Sequence, residues 1–481
     1  QSTSLVDWDL AVDDSNNAIV VFTDTRNGTS INPFAYKISP QGDFRWGANG
    51  VSLSTATTVF QADPKIAKTS DGSFVFVWQY GSSPNQAAMQ RLNVAGVKQW
   101  GNDPILISGG ATEHRWRPSL VASDNGSVIL LYAGFTGTTI SPQNYKLLTQ
   151  KVSPTGATLW ADTVYSLGRV SGFFVPKIFS DGSNGVFYVW HDERGGANST
   201  SYVQHFTSSG AKVFPIDGAA SSTLAGRLHN DASVAYTPAT GETYMFWYET
   251  NSSTQSIYGV YGQKFSSNGT RQWSDSGKAF RPFGGGQPSF IRCFAKDSSA
   301  VGFYLDGVTV TTNLVRGFKV DRNGNMLWGS SIKEISSVVS GKGRLTGALT
   351  LSGNSLLAWA DKRLDANGVY AQELNFNGQL GVITSVKEIS GETPKEFSLE
   401  QNYPNPFNPT TKLSFVIGHS SLVSLKVYDV LGREVASLVN EVKPAGTYEV
   451  TIAGGNLSSG VYFYTLKAGR YSATKGMLLI K

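Results

Sequence analysis

The sequence predicts an all-β protein: a seven-bladed β-propeller of four-stranded antiparallel blades, followed by a C-terminal β-sandwich. Three observations carry this prediction. One aromatic residue recurs at a near-constant interval, apolar residues alternate with a period of two, and turn formers interrupt them every ten residues or so. Composition agrees, since among 481 residues there are 52 glycines, with 12% aromatic and only 16% charged residues. That is the profile of short strands joined by tight turns. At this length a single core is not expected, and a repeat array or two domains is.

The repeat is read first. Phe22, Trp78, Tyr132, Trp190, Trp247, Tyr304 and Trp359 each close an apolar run and are separated by 56, 54, 58, 57, 57 and 55 residues. A second landmark, Gly-x-x-x-Trp, ends at Trp46, Trp100, Trp160, Trp273 and Trp328; Phe214 replaces the tryptophan after Gly210, and the seventh unit keeps only Gly378. A third is a glutamine in the expected third strand, at Gln90, Gln150, Gln204, Gln263 and Gln372. In the second unit the strands are expected at 64–68, 73–80, 87–92 and 104–108. Leu10, Ile66, Leu120 and Ile178 each precede their unit's aromatic by twelve residues, which predicts a first strand paired to the second through a short hairpin. Four such strands per unit match a propeller blade, where radial stacking covers both faces and leaves few edges. A ring repeated in every unit is expected to fill the contact between neighbouring blades rather than to stack on sugars. Trp8, Trp116, Phe173 and Phe174 lie off this pattern and are freer to act on a ligand.

Charge and cysteine narrow the function classes. The net charge of +5 is small for this length and the basic residues are scattered, so nucleic acid is not an expected partner. The single cysteine, Cys293, makes no internal disulfide and is expected to be a small buried apolar residue. No run approaches the ~20 apolar residues of a membrane helix, so no transmembrane segment is expected. Gln1 opens into polar sequence, as it would after removal of a signal peptide.

The candidate chemistry is a set of acids two residues after the recurring aromatic: Asp24, Asp192, Glu249, Asp306 and Asp361. A ring of carboxylates at blade ends would hold cations or a basic partner. The competing expectation is structural: an acid that accepts turn hydrogen bonds and pairs with a local arginine, as in Asp24-Thr25-Arg26, Asp192-Glu193-Arg194 and Asp361-Lys362-Arg363. The shared strand-end position favours the structural role. His114, His191, His205, His229 and His419 show no metal-ligand spacing, and no Gly-x-Ser-x-Gly elbow or phosphate-binding glycine loop occurs. Ser70-Asp71-Gly72 only weakly resembles the aspartate box of sialidases, and Asp14 to Asn17 and Asp321 to Gly324 are expected to be turns rather than calcium loops. No catalytic residue, cofactor or metal is assigned.

The repeat ends at Ile389, so residues 1–389 are expected to form the propeller, 390–396 a polar linker containing Pro394, and 397–481 a second module. That module carries Phe397 to Pro409, including Asn402-Tyr403-Pro404-Asn405-Pro406-Phe407, then Leu431-Gly432-Arg433, Gly460-Val461-Tyr462, and a terminal strand from Lys475 to Lys481. In this order the motifs closely resemble the type A C-terminal sorting domain of the type IX secretion system, over about the last 85 residues. The resemblance implies an immunoglobulin-like sandwich, handling by the type IX secretion machinery, and a secreted or cell-surface location, commonly with removal of the domain. Period-two runs at 413–416 and 461–466 independently predict strands. The prolines between Tyr403 and Pro409 predict an extended segment.

The leading functional expectation is a non-catalytic extracellular protein whose propeller is a platform for binding or self-assembly, with the chain itself as homopolymer partner or surface glycans as ligand. The competing expectations are a polysaccharide hydrolase or lyase and a glycan-binding adhesin.

Overall fold

The computed structural model describes residues 8–26, 30–137, 145–168, 170–171, 174–194, 198–329, 332–350, 353–363, 368–380, 386–390, 397–469 and 471–480. The chain divides into two compact units, Gln1–Ala371 and Gln372–Lys481.

Seven consecutive antiparallel sheets make up the first part of the chain. Sheet 1 runs Trp8–Val12, Ala18–Asp24, Asn32–Ile38, Val51–Ser52, and sheet 2 runs Gln61–Lys68, Phe74–Tyr80, Gln86–Leu92, Ile105–Ile107. Sheet 3 is Glu113–Ala122, Val128–Thr136, Lys146–Val152, Thr158–Tyr165, and sheet 4 is Lys177–Ser180, Val186–Asp192, Thr200–Phe206, Ala219–Ala220. Sheet 5 is Arg227–Thr237, Glu242–Asn251, Tyr258–Phe265, Lys278–Gly284, and sheet 6 is Pro288–Lys296, Ser299–Gly307, Asn313–Asp321, Lys333–Ser340. Sheet 7 has three strands among the described residues, Lys342–Leu349, Ser355–Asp361 and Gly368–Leu374. Each sheet is a simple meander, with every strand hydrogen-bonded to the next in sequence. Leu10 pairs with Val20, Ile66 with Phe76, Leu120 with Leu130 and Ile178 with Tyr188, which places the first hairpin of four units in one register.

In sheets 3 to 7 the second strand is the most buried, and in sheets 1 and 2 the third is. Phe74 to Trp78 have no exposed surface at all, because this strand is covered on both faces by neighbouring sheets. A continuous apolar run, rather than strict alternation, is what double coverage demands. The core is accordingly a series of layers. One apolar cluster joins sheets 1 and 2, the next sheets 2 and 3, and others follow between sheets 3 and 4, 4 and 5, and 5 and 6.

Successive sheets are joined by one repeated contact. The indole Nε1 of Trp46 donates to Val94 O at 3.1 Å, Trp100 to Pro154 O at 2.8 Å, Trp160 to Ser208 O at 3.0 Å, and Trp273 to Arg322 O at 3.2 Å. Each acceptor lies in a hairpin turn of the following sheet. The glycine of that same turn is left-handed, and its bare Cα faces the ring: a Cβ would come within 2.7 Å of Trp46 at Gly96, 2.9 Å of Trp160 at Gly210, and 3.2 Å of Trp273 at Gly324. Phe214 covers Gly269 in the same way. Gly42, in sheet 1, meets no atom within 4 Å, and Trp8, Leu10 and Val12 on the first strand of that sheet are exposed. The recurring glutamines anchor the rings from behind. Gln90, Gln204 and Gln263 each accept from the backbone N–H of Trp100, Phe214 or Trp273 and donate to a carbonyl of the residues that follow.

The second unit holds two four-stranded antiparallel sheets around one core. Val386–Ser390, Gly446–Ala453, Thr410–Ile417 and Ser398–Leu399 form one, and Glu434–Lys443, Ser421–Tyr428, Gly460–Ala468 and Tyr471–Leu479 the other. Leu413, Phe415 and Val450 from the first meet Val423, Leu425, Tyr464 and Leu466 from the second. Alternation is strict here because each sheet buries one face only. The segment from Tyr403 to Pro409 departs from the extended path expected for it. It bends, with cis peptides at Tyr403-Pro404, Asn405-Pro406 and Asn408-Pro409, and is fixed by hydrogen bonds at Tyr403 and Phe407.

Gly96→Val is expected to destabilise the array by at least about 2 kcal/mol, because it adds both a clash and a left-handed β-branched residue. In a double-mutant cycle with Trp46→Ala the two losses should fall short of additivity, as measured by thermal or urea unfolding.

Candidate functional site

The five strand-end acids are all buried, and four are neutralised where they stand. Asp24 accepts from Arg26 N at 3.0 Å and pairs with its guanidinium, which lies over the Phe34 ring. Asp192 accepts from Trp190 Nε1 at 2.8 Å and from Arg194 Nε at 2.9 Å, with the Arg194 guanidinium 3.7 Å from the Tyr202 ring centre. Asp361 repeats the arrangement with Trp359 Nε1 at 3.0 Å and Arg363 Nε at 2.8 Å, and Arg363 lies over Tyr370. Burial opposes ionisation of Asp361, but bonds from Arg363, Ser340 and Trp359 and the charge of Lys342 hold its carboxyl well below the usual range. Asp306 lies between Arg281 at 3.0 Å and Arg316 at 2.5 Å. A planar guanidinium bound edge-on to a carboxylate and face-on to an aromatic ring is a structural clamp.

Glu249 is the exception. Its side chain has no exposure and neither oxygen finds a hydrogen bond; Arg227 Nε stands 3.6 Å away and His229 Nε2 3.5 Å away. No arginine follows two residues later, since that position is Asn251. Burial pushes the carboxyl up to about 7, against the pull of nearby Trp247 and Arg227. Burial, helped by the Arg227 charge, lowers His229 to about 4.

A different set of residues converges. In five sheets the first strand carries a two-residue bulge directly opposite the recurring aromatic: Asp63-Pro64 faces Trp78, Arg117-Pro118 faces Tyr132, Asp231-Ala232 faces Trp247, Phe290-Ile291 faces Tyr304, and Arg344-Leu345 faces Trp359. The first residue of each bulge is left-handed, with φ of 52°, 47°, 50°, 53° and 55°. A non-glycine residue pays about 1 kcal/mol or more for that conformation, and a bulge re-aims the side chain it carries. A cavity of about 380 Å³ is lined by such positions and their neighbours: Asp9 of sheet 1, Asp63 and Lys65 of sheet 2, Arg117, Pro118, Ser119 and Leu120 of sheet 3, Val175 to Phe179 at the start of sheet 4, and Arg292 of sheet 6. Lys65 pairs with Asp63, and Lys177 with Asp231 of sheet 5 at 2.7 Å. Ser119 Oγ is buried there without a hydrogen-bond partner among the described residues.

Sequence reasoning did not single out these residues, because Asp, Arg, Asp, Phe and Arg share no type. Their distance from the recurring aromatic, 14 to 16 residues, was the available signal. Of the aromatics, Trp78, Trp190, Trp247 and Tyr304 are fully buried, Tyr132 and Trp359 nearly so, and Phe22 is half-buried beside Tyr36. Trp328 is half-buried against Phe303. Trp116 lies under the Arg117 guanidinium at 4.2 Å, and Phe174 packs on His191; Phe173 is outside the described residues. Among the described residues no group of three or more His, Cys, Asp or Glu is placed to hold a metal ion, and no helix is long and apolar enough to cross a membrane.

In the second unit the proline motif is stitched into the sandwich. Asn402 N donates to Tyr464 OH at 2.8 Å, and Asn402 Nδ2 donates to Pro404 O and Thr411 Oγ1, each at 3.0 Å. Asn405 Oδ1 accepts from Leu478 N at 2.9 Å, and buried Phe407 exchanges backbone bonds with Leu478 and Ile480. Pro406 is exposed, and Tyr403 is 80% exposed. Lys475 is half-buried opposite Tyr464, and Lys481 lies outside the described residues.

Fold and motif together define an exported all-β repeat protein whose last strand is clasped by its own proline-rich segment. Residues 401–481 match the secretion system C-terminal sorting domain family, which makes the chain a secreted protein handled by the type IX secretion system. No curated protein matches the sequence. Among solved structures, the chain is similar to a protein of unknown function from Dyadobacter fermentans DSM 18053, at 11% identity and a TM-score of 0.39 over 67% of this chain and 95% of that one. It is also similar to an ulvan lyase, at 10% identity and 0.41 over 66% and 78%, and to an endo-arabinanase from Bacillus licheniformis, at 12% and 0.30 over 57% and 98%.

The Glu249 and His229 shifts act on stability in opposite senses. Between about 4.5 and 7 the folded state keeps a proton on Glu249 that the unfolded chain releases, so this group's contribution is full below 4.5 and is lost as pH rises through 7. His229 stays neutral in the fold down to about 4, so its contribution is present above 6.5 and is lost as pH falls. Glu249→Gln is therefore expected to stabilise the protein at pH 8 by up to roughly 3 kcal/mol, with the gain vanishing below pH 5, as read by denaturant titration across pH.

Proposed function

We propose that the exported chain is a non-catalytic binding protein in which the seven sheets from Trp8 to Leu374 close into a seven-bladed β-propeller. The ligand enters the cavity where the first strands meet, and the sorting domain follows, with Val386–Ser390 as the first strand of its sheet. One observation carries this reading: side chains from five different sheets line a single cavity, as they do when blades are arranged about an axis. The ring-on-glycine contacts support it, since they join sheets 1 to 6 each to the next in one sense. In this reading the recurring aromatics fill the spaces between blades, and the acids Asp24, Asp192, Asp306 and Asp361 are clamps. Binding rather than turnover is favoured because Asp24, Asp192 and Asp361 already accept from arginine or tryptophan donors and Asp306 is ion-paired to two arginines. Surface glycans are the ligand class that fits an exported binding protein.

Val175→Trp fills the mouth of the cavity from a partly exposed position. Glycan-array binding by the purified full chain is expected to be lost in this variant while its melting temperature stays within about 2 °C. Retained binding would refute the cavity as the site, and release of shorter products from a bound glycan would replace binding with catalysis. A chain ending at residue 396 is expected to remain inside the cell, as read by fractionation of cells and medium.

A further inference from the structure

The cavity wall carries an uneven set of charges. Four cations, Lys65, Arg117, Lys177 and Arg292, face two carboxylates, Asp9 and Asp63. Lys65 and Lys177 have carboxylate partners, in Asp63 and Asp231. Arg117 and Arg292 have none within ion-pair distance among the described residues. Arg292 Nη1 donates only to the neighbouring Ile291 O at 2.9 Å, and the Arg117 guanidinium rests on the Trp116 ring at 4.2 Å. Burial lowers the affinity of Arg292 for its proton, and the charge of Asp231, which already holds Lys177, offsets this only in part. Asp9 does little to supply that charge: burial pushes its carboxyl up, and one of its oxygens already accepts from Ile66 N at 2.9 Å.

Backbone geometry gives the same direction. Arg117 is held left-handed at a bulge, a position where the fold repeats the strain in five sheets but leaves the side chain free to vary. Strain that recurs with a variable residue presents side chains rather than filling a core. Beside the two arginines, Leu120, Ile178 and Phe179 give the wall an apolar patch that matches the C–H face of a pyranose ring, and Ser119 Oγ lacks a partner in the same wall.

We propose that this cavity binds the acidic group of a saccharide, a carboxylate or a sulfate ester, through the guanidinium groups of Arg117 and Arg292. This deepens, and rests on, the reading of the cavity as the ligand site. Guanidinium is suited to both oxyanions because its parallel N–H donors match two oxygens at once, and a low-dielectric wall strengthens the pair.

The test is calorimetric titration of the full-length protein with four probes: an oligogalacturonide trimer, its methyl ester, a sulfated disaccharide and inorganic sulfate. At least one acidic saccharide is expected to bind at least tenfold more tightly than the methyl ester, with affinity falling as salt is raised. Which acidic probe binds better distinguishes carboxylate from sulfate. Arg117→Gln and Arg292→Gln should each weaken binding at least tenfold, about 1.4 kcal/mol, with unchanged circular dichroism. Arg117→Lys, which keeps charge but loses the fork, should fall between. The proposal is overturned if the methyl ester binds as tightly as the acid, if neither arginine variant changes affinity, if inorganic sulfate binds as well as either saccharide, or if no acidic probe binds. Equal binding of acid and ester that Val175→Trp abolishes would remove the acidic-group assignment and leave the cavity site standing. Binding that survives Val175→Trp would remove both.

Discussion

The first part of the chain depends on an indole ring lying on a left-handed glycine of the following sheet. Neither half of the contact works alone. A five-residue hairpin turn needs a left-handed residue at its fourth position, and glycine supplies it without a Cβ. The missing Cβ leaves a flat spot that accepts a ring face, while the turn's free carbonyl receives the indole N–H. Dispersion and hydrogen-bond direction thus fix the same spacing, and at Trp100, Phe214 and Trp273 a glutamine behind the ring fixes the donor strand. No sheet buries both its faces by itself, so the contact propagates order from one unit to the next.

That reciprocity explains why the repeat was legible. Glycine and tryptophan recur four residues apart in sequence, yet Trp46, Trp100, Trp160 and Trp273 each serve the glycine turn of the next unit, so the motif reports a junction and not a loop. The aromatic closing each second strand was equally visible, because a doubly covered strand tolerates no polar interruption at Trp78, Trp190 or Trp247. The bulges opposite these aromatics were not visible. Asp63, Arg117, Asp231, Phe290 and Arg344 adopt the same backbone with unlike side chains, and left-handed geometry in non-glycine residues leaves no compositional trace. The prolines after Asp63 and Arg117 were a faint clue, since they bias the preceding residue but do not specify a bulge.

The sorting module shows the reverse relation between pattern and structure. Its motif was recognised from residue identity, and the geometry explains the identities. Asn402 is placed to cross-link Tyr464, Pro404 and Thr411, Asn405 to receive the terminal strand at Leu478, and Phe407 to fill the core beside Leu479. Period and proline content alone predicted an extended segment, because they carry no information on side-chain amides that fold the chain back on itself. Tyr403 is the one large residue of the motif that the sandwich leaves outside.

Acids and arginines in this protein therefore divide by whether their position repeats with the same residue type. At the strand ends the type repeats, and the pairs Asp24 with Arg26, Asp192 with Arg194 and Asp361 with Arg363 turn inward against aromatic rings. Glu249 stands at one of these positions without its arginine, and the cost appears as a buried carboxyl that resists ionisation. At the bulges the backbone repeats while the residue changes, so no contact common to all five constrains the choice. Of the five, Asp231 is held by the fold itself, accepting from Lys177 Nζ at 2.7 Å and from Ile291 N at 3.1 Å. Two of them, Asp63 and Arg117, line the cavity, and whatever selects those two side chains acts from there.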